Sequence, residues 1–336
     1  MHLWVDAMRS ALYGPDGFYL RQAPSGHFRT SASASPQYAV ALAGLAATVD
    51  EALGHPTVFD LVDVGAGDGS LVARMLGALA PDLAGRTRAV AIDLRRRPES
   101  LPETVEWENR APGEVTGLLM AHELLDNVPC EVVERVDGQL RLVRVDSDGR
   151  ETLGPPPDDE QRRWLDRWWP LGSDGDRAEC GAARDQMWDQ LVGALSTGLA
   201  LAVDFGHLRA ERADGAFCAG TLTGYRDGLQ VAPVPNGACD LTAHVAIDAC
   251  AEAGSRPGAG QTRLVQQREA LRALGVSADL PTRTLAKTDP AEYVRQLSEA
   301  SEAAELLDPS SLGRFWWLLQ SKGMPVPAIG SDALSG

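Results

Sequence analysis

The sequence predicts an α/β protein built on a Rossmann-like, open parallel sheet, and three stretches predict it. Phe59 to Leu79 reads as a buried strand, a glycine turn and a helix. Leu61, Val62 and Val64 form the apolar run, and Leu71, Val72, Met75, Leu76 and Leu79 recur at helical spacing. A second strand, Ala89 to Ile92, leads into an acid, Asp93. A third apolar run, Thr116 to Ala121, continues into His122-Glu123-Leu124-Leu125-Asp126. Open sheets of this kind bind ligands beyond the carboxyl ends of their strands, which is where all three stretches carry their polar residues.

The remaining elements follow in chain order. Ala7 to Tyr13 suggests a short helix, and Gly14-Pro15-Asp16-Gly17 a turn with aromatic flanks. Gly26 to Ser31 is polar and loop-like, either a lid ahead of the first core strand or an ordered surface arm. Ser35 to Leu53 is an Ala-rich amphipathic helix with Pro36 in its first turn. Thr104 to Trp107 suits a short strand. Val132 to Arg135 and Leu140 to Val145 flank the turn residues Asp137 and Gly138, a hairpin signal. Gly154 to Asp159 reads as a linker, Gln161 to Trp169 and Ala182 to Leu195 as helices, and Leu199 to Phe205 as a returning core strand. Residues 206–240 are rich in turn formers. Ala243 to Ala253, Gln261 to Leu274 and Pro290 to Leu307 have helical patterns, Leu312 to Gln320 is a further apolar piece, and the last ten residues are expected to fray. The chain thus divides into an N-terminal arm and helix (1–56), a Rossmann-like half (57–150), the rest of the core with helical and loop insertions (151–325) and a tail (326–336).

Composition narrows the function. The 336 residues carry a net charge of −16, which disfavours nucleic acid and anionic membranes as partners. No run is apolar and long enough to span a bilayer, and no signal peptide is expected, since the N-terminus lacks a basic region followed by an apolar core. The five cysteines are scattered without C-x-x-C spacing, which suits reduced thiols in the cytoplasm better than a disulfide frame or a zinc site.

The glycine turn, Gly65-Ala66-Gly67-Asp68-Gly69, lacks the Lys-Ser/Thr end of a phosphate loop and the G-x-G-x-x-G spacing of a dinucleotide fingerprint. Asp63 precedes it and Asp68 lies within it. Two carboxylates repel a pyrophosphate but suit a cationic ligand end, such as the sulfonium and amino groups of S-adenosylmethionine. Asp93, at the end of the second strand, is placed to accept hydrogen bonds from two ribose hydroxyls. The plainer alternative is an ordinary strand–turn–helix with solvated acids.

The other constellation is His122 to Asp126. If a helical turn begins there, Glu123 and Asp126 fall on one face. A zinc site of the H-E-x-x-H type is excluded because Asp126 stands where the second His belongs, and no G-x-S-x-G elbow occurs. In the plainer reading Asp126 caps a turn ahead of Pro129 and Glu123 is solvated. Asp204, Tyr225, Asp240 and His244 are secondary candidates, each suited at least as well to a structural role.

Taken together, ALYGPDGFY at 11–19, GHFRTS at 26–31, VDVGAGDGSL at 62–71, HELLDNVP at 122–129, VDFG at 203–206, GTLTGY at 220–225, CDLTAHV at 239–245, QTRLVQQREALRALGV at 261–276 and LGRFWWLLQSKGM at 312–324 resemble the MidA-like methyltransferases. That family includes a mitochondrial complex I assembly factor that methylates an arginine. The resemblance implies a seven-stranded class I methyltransferase core, S-adenosyl-L-methionine as cofactor, and a protein or peptide substrate such as a respiratory complex I subunit. It implies a cofactor site at Asp63, Gly65, Gly67, Asp68, Gly69, Asp93 and His122, with Glu123 and Asp126 orienting the acceptor and no metal. The chain departs from the family pattern at His27, Ala32-Ser33, Asp93 and Asn127. Two other functions fit the same residues: O- or N-methylation of a small metabolite or modified peptide, and a non-catalytic assembly factor that binds the cofactor.

Overall fold

A buried strand that is apolar on both faces belongs in the middle of a parallel sheet, and the chain contains three such strands side by side. The computed structural model describes residues 1–21, 30–110, 113–255 and 260–334. It forms two compact units whose segments interleave along the chain, where the sequence was divided consecutively. The core unit comprises Arg29–His122, Ala194–Val203 and Pro257–Gly336; the accessory unit comprises Met1–Phe28, Glu123–Gly193 and Asp204–Arg256.

The core unit is organised by a seven-stranded sheet. Its strands are β1 (Phe59–Val64), β2 (Thr87–Ile92), β3 (Val105–Glu108), β4 (Val115–His122), β5 (Leu195–Asp204), β6 (Thr262–Gln266) and β7 (Trp316–Lys322). Their order is β6-β7-β5-β4-β1-β2-β3. β1 pairs in parallel with β2 and β4, β3 with β2, and β5 with β4, whereas β6 and β7 are antiparallel. From β1 the chain steps outward to β2 and β3, then returns to the other side of β1 as β4. That reversal creates a crevice at the carboxyl ends of β1 and β4, the position where doubly wound sheets bind ligands. This is the α/β, class I methyltransferase-like architecture that the sequence predicts.

Local chemistry explains the elements around the sheet. Ser35 caps the helix Pro36–Ala52 by accepting from the Gln37 N–H, and Tyr38, Leu42, Leu45 and Val49 form its buried side. Gln261 to Leu274, expected as one helix, is instead β6 followed by the helix Gln267–Ala273. β6 pairs with β7 (Leu264 opposite Leu318, Val265 opposite Trp317), and burying both Leu264 and Val265 in the sheet overrides the helical spacing. Gln267 pins the switch: its amide donates to Ser31 Oγ and the Leu312 carbonyl and accepts from the Trp317 indole. The tail is tied to β6 as far as Ala333, whose N–H donates to the Leu264 carbonyl, and Ile329 is buried.

In the accessory unit, strands Glu131–Val136 and Gln139–Val145 form the expected hairpin, with Asp137 and Gly138 both at positive φ. Strand Arg177–Cys180 extends it, and the helix Trp4–Tyr13 packs across it through Trp4, Met8 and Leu12. The turn-rich stretch holds a three-stranded antiparallel sheet with Thr223–Arg226 in the middle, between Leu229–Val231 and Asp240–Thr242. The helix expected from Ala243 begins only at Ile247, because Val245–Ala246 is paired with Gly206–His207. Gly26 to Arg29, the greater part of the expected lid, lie outside the described residues.

The β4–β5 contact has no space for a side chain at one register position. Gly198 faces Gly117 with φ of 134°, and a Cβ there would lie 2.0 Å from the Gly117 carbonyl oxygen. Gly198→Ala is therefore expected to lower folding stability by about 3 kcal/mol. Thermal unfolding checks this, and a change below about 0.5 kcal/mol would contradict the register.

Candidate functional site

The glycine turn leaves β1 with its backbone exposed and its acids crowded. Gly65, Gly67 and Gly69 have φ of 76°, 65° and 73°, a region that costs an L side chain energy. A Cβ on Gly69 would strike the Leu101 side chain at 2.7 Å. The Gly65 and Ala66 N–H groups donate to the Ile92 carbonyl, joining the turn to the end of β2. Asp93 accepts from the Gly67 N–H (2.9 Å) and from the Arg95 N–H and Nε (3.0 and 3.1 Å). Asp68 accepts from the Ser70 N–H at 2.9 Å, tying the turn to the helix Ser70–Ala78.

Asp63 is different. It is 2% exposed, and its Oδ1 has no hydrogen-bond partner among the described residues. Burial, reinforced by the charges of Asp93 and Asp68, pushes its pKa up to about 7. An ionised carboxylate there lacks a cation. His122, at the end of β4, lies edge-to-face against Tyr38 (centroids 5.2 Å apart), and burial pushes its pKa down to about 3, so it is neutral at physiological pH. The structure thus gathers Asp63, Gly65, Gly67, Asp68, Gly69 and Asp93 at the carboxyl ends of β1 and β2, with His122 closing the neighbouring strand β4. The open turn and the orphaned Asp63 oxygen fit the α-ammonium end of S-adenosylmethionine. Arg95, which engages Asp93, was missed from sequence; the run Arg95-Arg96-Arg97 directly after the acid was the available signal.

The accessory unit holds a second group of carboxyls. Glu123 is half-buried with φ of 50° and precedes the short 3-10 turn Leu125–Asn127, so it does not share a helical face with Asp126. Asp126 is buried inside the turn. Its Oδ2 accepts from Thr242 Oγ1 at 2.6 Å, and its Oδ1 has no partner among the described residues. Asp204, wholly buried, accepts from the Leu125 and Asp126 N–H groups at 2.8 and 3.3 Å. Asp240 accepts from the Tyr19 hydroxyl (2.8 Å) and Asn127 Nδ2 (3.2 Å).

Burial dominates the electrostatics of this group, and the nearby Arg184 charge opposes it at Asp126 and Asp204. Burial, then the Asp126 charge, lifts Asp204 well above the usual carboxylate range. Burial lifts Asp126 against the Thr242 bond, and burial with the Asp126 charge pushes Asp240 up to about 7. The buried guanidinium of Arg184 spends its bonds on the Asp126 and His244 carbonyls (3.1 and 2.9 Å) and on Cys130 Sγ. Among the described residues it makes no hydrogen bond to the carboxylates and acts on Asp126 and Asp204 through its charge alone. Asp204 and Asp240 are therefore integral to the cluster, and Tyr225 lies in the strand beside Asp240. Among the described residues no group of three His, Cys, Asp or Glu could hold a metal ion, and no helix is long and apolar enough to cross a membrane.

Residues 41–263 match the family described as "Putative S-adenosyl-L-methionine-dependent methyltransferase". Two crystal structures of proteins from Burkholderia thailandensis, both of one superfamily, share the fold. One, bound to S-adenosyl-homocysteine, is 24% identical with a TM-score of 0.83; the other, uncharacterised, is 25% identical with a TM-score of 0.81. Each comparison covers 99% of this chain and 92% of the other. No curated protein matches the chain. The family match spans the glycine turn, the HELLD segment and the Asp204 and Asp240 loops, and the chain belongs to this family of S-adenosyl-L-methionine-dependent methyltransferases.

Proposed function

We propose that the chain is a protein arginine N-methyltransferase of the MidA-like type, acting in the cytoplasm on a protein or peptide. The observation that carries the reading is the cluster of Asp126, Asp204 and Asp240, buried with no cation hydrogen-bonded to any of the three carboxylates among the described residues and with the single guanidinium of Arg184 acting on Asp126 and Asp204 through space. Desolvated carboxyls of this kind favour a cationic ligand, because an incoming positive charge restores their ionised form. A guanidinium satisfies two acceptors at once with its planar fork of donors. Five cysteines outside any disulfide support the cytoplasmic assignment.

The cofactor, when bound, supplies a methyl group on a sulfonium. The acceptor nitrogen attacks in line, the S–C bond breaks with its electron pair passing to sulfur, and the N–C bond forms. The chain's part is orientation. Glu123 and Asp126 accept N–H bonds from the acceptor, turn one nitrogen toward the methyl, and take up the proton released after transfer. Asp204 fixes the main chain of Leu125 and Asp126 and so holds the turn in place. Asp63 receives the cofactor's α-ammonium, Gly65, Gly67 and Gly69 admit its backbone-facing side, Asp93 takes the ribose hydroxyls, and His122 borders the site as a neutral ring.

Two measurements test this. Asp63→Asn should weaken cofactor binding about tenfold in calorimetry, the loss of one charge-assisted bond. It should also stabilise the cofactor-free protein at pH 8. The folded pKa lies above the unfolded one, so the penalty is absent below about pH 4 and grows as pH rises toward 7. Unchanged affinity would remove Asp63 from the site. The second measurement is methyl transfer from labelled cofactor into a lysate split into protein and small-molecule fractions. Label on protein arginine is expected, with Glu123→Gln lowering turnover about a hundredfold or more and leaving cofactor affinity unchanged. Label confined to small molecules would overturn the arginine reading in favour of a metabolite acceptor.

A further inference from the structure

Three arginines, Arg95, Arg96 and Arg97, follow the acid at the end of β2. This segment is laced to the end of β3. The Asp93 N–H donates to the Glu108 carbonyl at 3.0 Å, and the Trp107 indole donates to the Arg95 carbonyl at 3.1 Å. Arg97 spends its guanidinium on the carbonyls of Leu101, Pro102 and Val105. Beside the segment, at the carboxyl ends of β2 and β3, lies a cavity of about 580 Å³ whose lining includes Leu94, Arg95, Trp107 and Glu108. The main chain of Arg95 is thus fixed while its side chain borders open volume.

The guanidinium of Arg95 leans against the glycine turn: a Cβ on Gly67 would lie 3.3 Å from its Nη2. It also occupies much of Asp93. An ionised carboxylate offers about four acceptor positions over its two oxygens. Asp93 Oδ1 accepts from the Arg95 N–H and Nε at 3.0 and 3.1 Å and is full. Oδ2 accepts from the Gly67 N–H at 2.9 Å, with Arg95 Nη2 at the long distance of 3.5 Å. Asp93 therefore has one good acceptor position left, on Oδ2, and a ribose brings two hydroxyls. Arg95 holds the complement. Its side chain is 19% exposed, and its Nη1 has no hydrogen-bond partner among the described residues. A hydroxyl accepts as well as donates, whereas a guanidinium only donates.

We propose that Arg95 is a second ribose-reading residue of the cofactor site: one hydroxyl donates to Asp93 Oδ2, and the other accepts from Arg95 Nη1. The proposal rests on the reading that Asp93 meets the ribose and refines it by dividing the hydroxyls between two side chains. Asp93 and Arg95 then form a pair, an acceptor and a donor set side by side at the edge of the glycine turn. The pair distinguishes the two hydroxyls, because a different residue holds each. A carboxylate acting alone would hold both in the same way. Loss of the Arg95 donor releases one hydroxyl and leaves the other held.

Calorimetry of S-adenosyl-homocysteine and of its 2′-deoxy and 3′-deoxy analogues, each titrated into the full chain, tests this. The wild type should lose about tenfold in affinity with either analogue, the size of one hydrogen bond to a charged group. Arg95→Met should bind S-adenosyl-homocysteine about tenfold more weakly, lose nothing further with one analogue and keep the full penalty with the other. A second readout needs no variant: in nitrogen-15 NMR of the wild type, the Arg95 guanidinium should respond to S-adenosyl-homocysteine and to one analogue but not to the other. Wild-type affinity in Arg95→Met, equal penalties for the two analogues in that variant, or an Arg95 response alike with both analogues would each overturn it. If Asp93→Ala becomes indifferent to one hydroxyl while Arg95→Met keeps both penalties, only this inference fails. If Asp93→Ala discriminates both hydroxyls as the wild type does, the reading of Asp93 fails first and this inference with it.

Discussion

Carboxyls buried with no hydrogen-bonded cation among the described residues are the constraint that recurs in each unit. Asp63 in the core unit, and Asp126, Asp204 and Asp240 in the accessory unit, are all buried. A protein seeking stability alone would replace such groups by apolar ones or neutralise them with a partner. The chain does neutralise carboxylates elsewhere: Asp50 is gripped through both oxygens by Arg86 at 2.6 Å, and its pKa falls. The contrast sets an ion-paired structural carboxylate apart from the four that the proposed function reads as ligand-binding.

The topology places these charges economically. β1 carries Asp63 just before its end, β2 leads into Asp93, β4 leads into Glu123, and β5 ends on Asp204. The sheet order makes those four strands the contiguous run β5-β4-β1-β2. Each therefore delivers a carboxylate at its carboxyl terminus with little extra loop.

Much of this was legible in the sequence, and the failures have physical causes. Apolar runs identified β1, β4 and β5, because strands covered on both faces are rich in Val, Leu and Ala. The turn and its acids stood out because glycine and aspartate at that spacing have few structural uses. The helix expected over Gln261–Leu274 failed because cross-strand pairing with Trp317 and Leu318 is a long-range contact that local periodicity does not encode. Asp204 and Asp240 ranked as secondary for the same reason. Only the fold brings the ends of β5 and of the Asp240–Thr242 strand to the turn that carries Asp126. The shared helical face proposed for Glu123 and Asp126 depended on a regular turn, and the left-handed Glu123 breaks it.

The central claim is that burial holds these carboxyls well above the ordinary aspartate range until a cationic ligand arrives. Carbon-13 NMR of aspartate-labelled protein, titrated between pH 3 and 9 with and without S-adenosyl-homocysteine, tests it most directly. The account predicts midpoints near 7 for Asp63 and Asp240 in the free protein, with Asp63 alone dropping once the ligand's α-ammonium is bound. Midpoints near the ordinary aspartate value of 3.8 in the free protein, or an Asp63 resonance indifferent to the ligand, would contradict it.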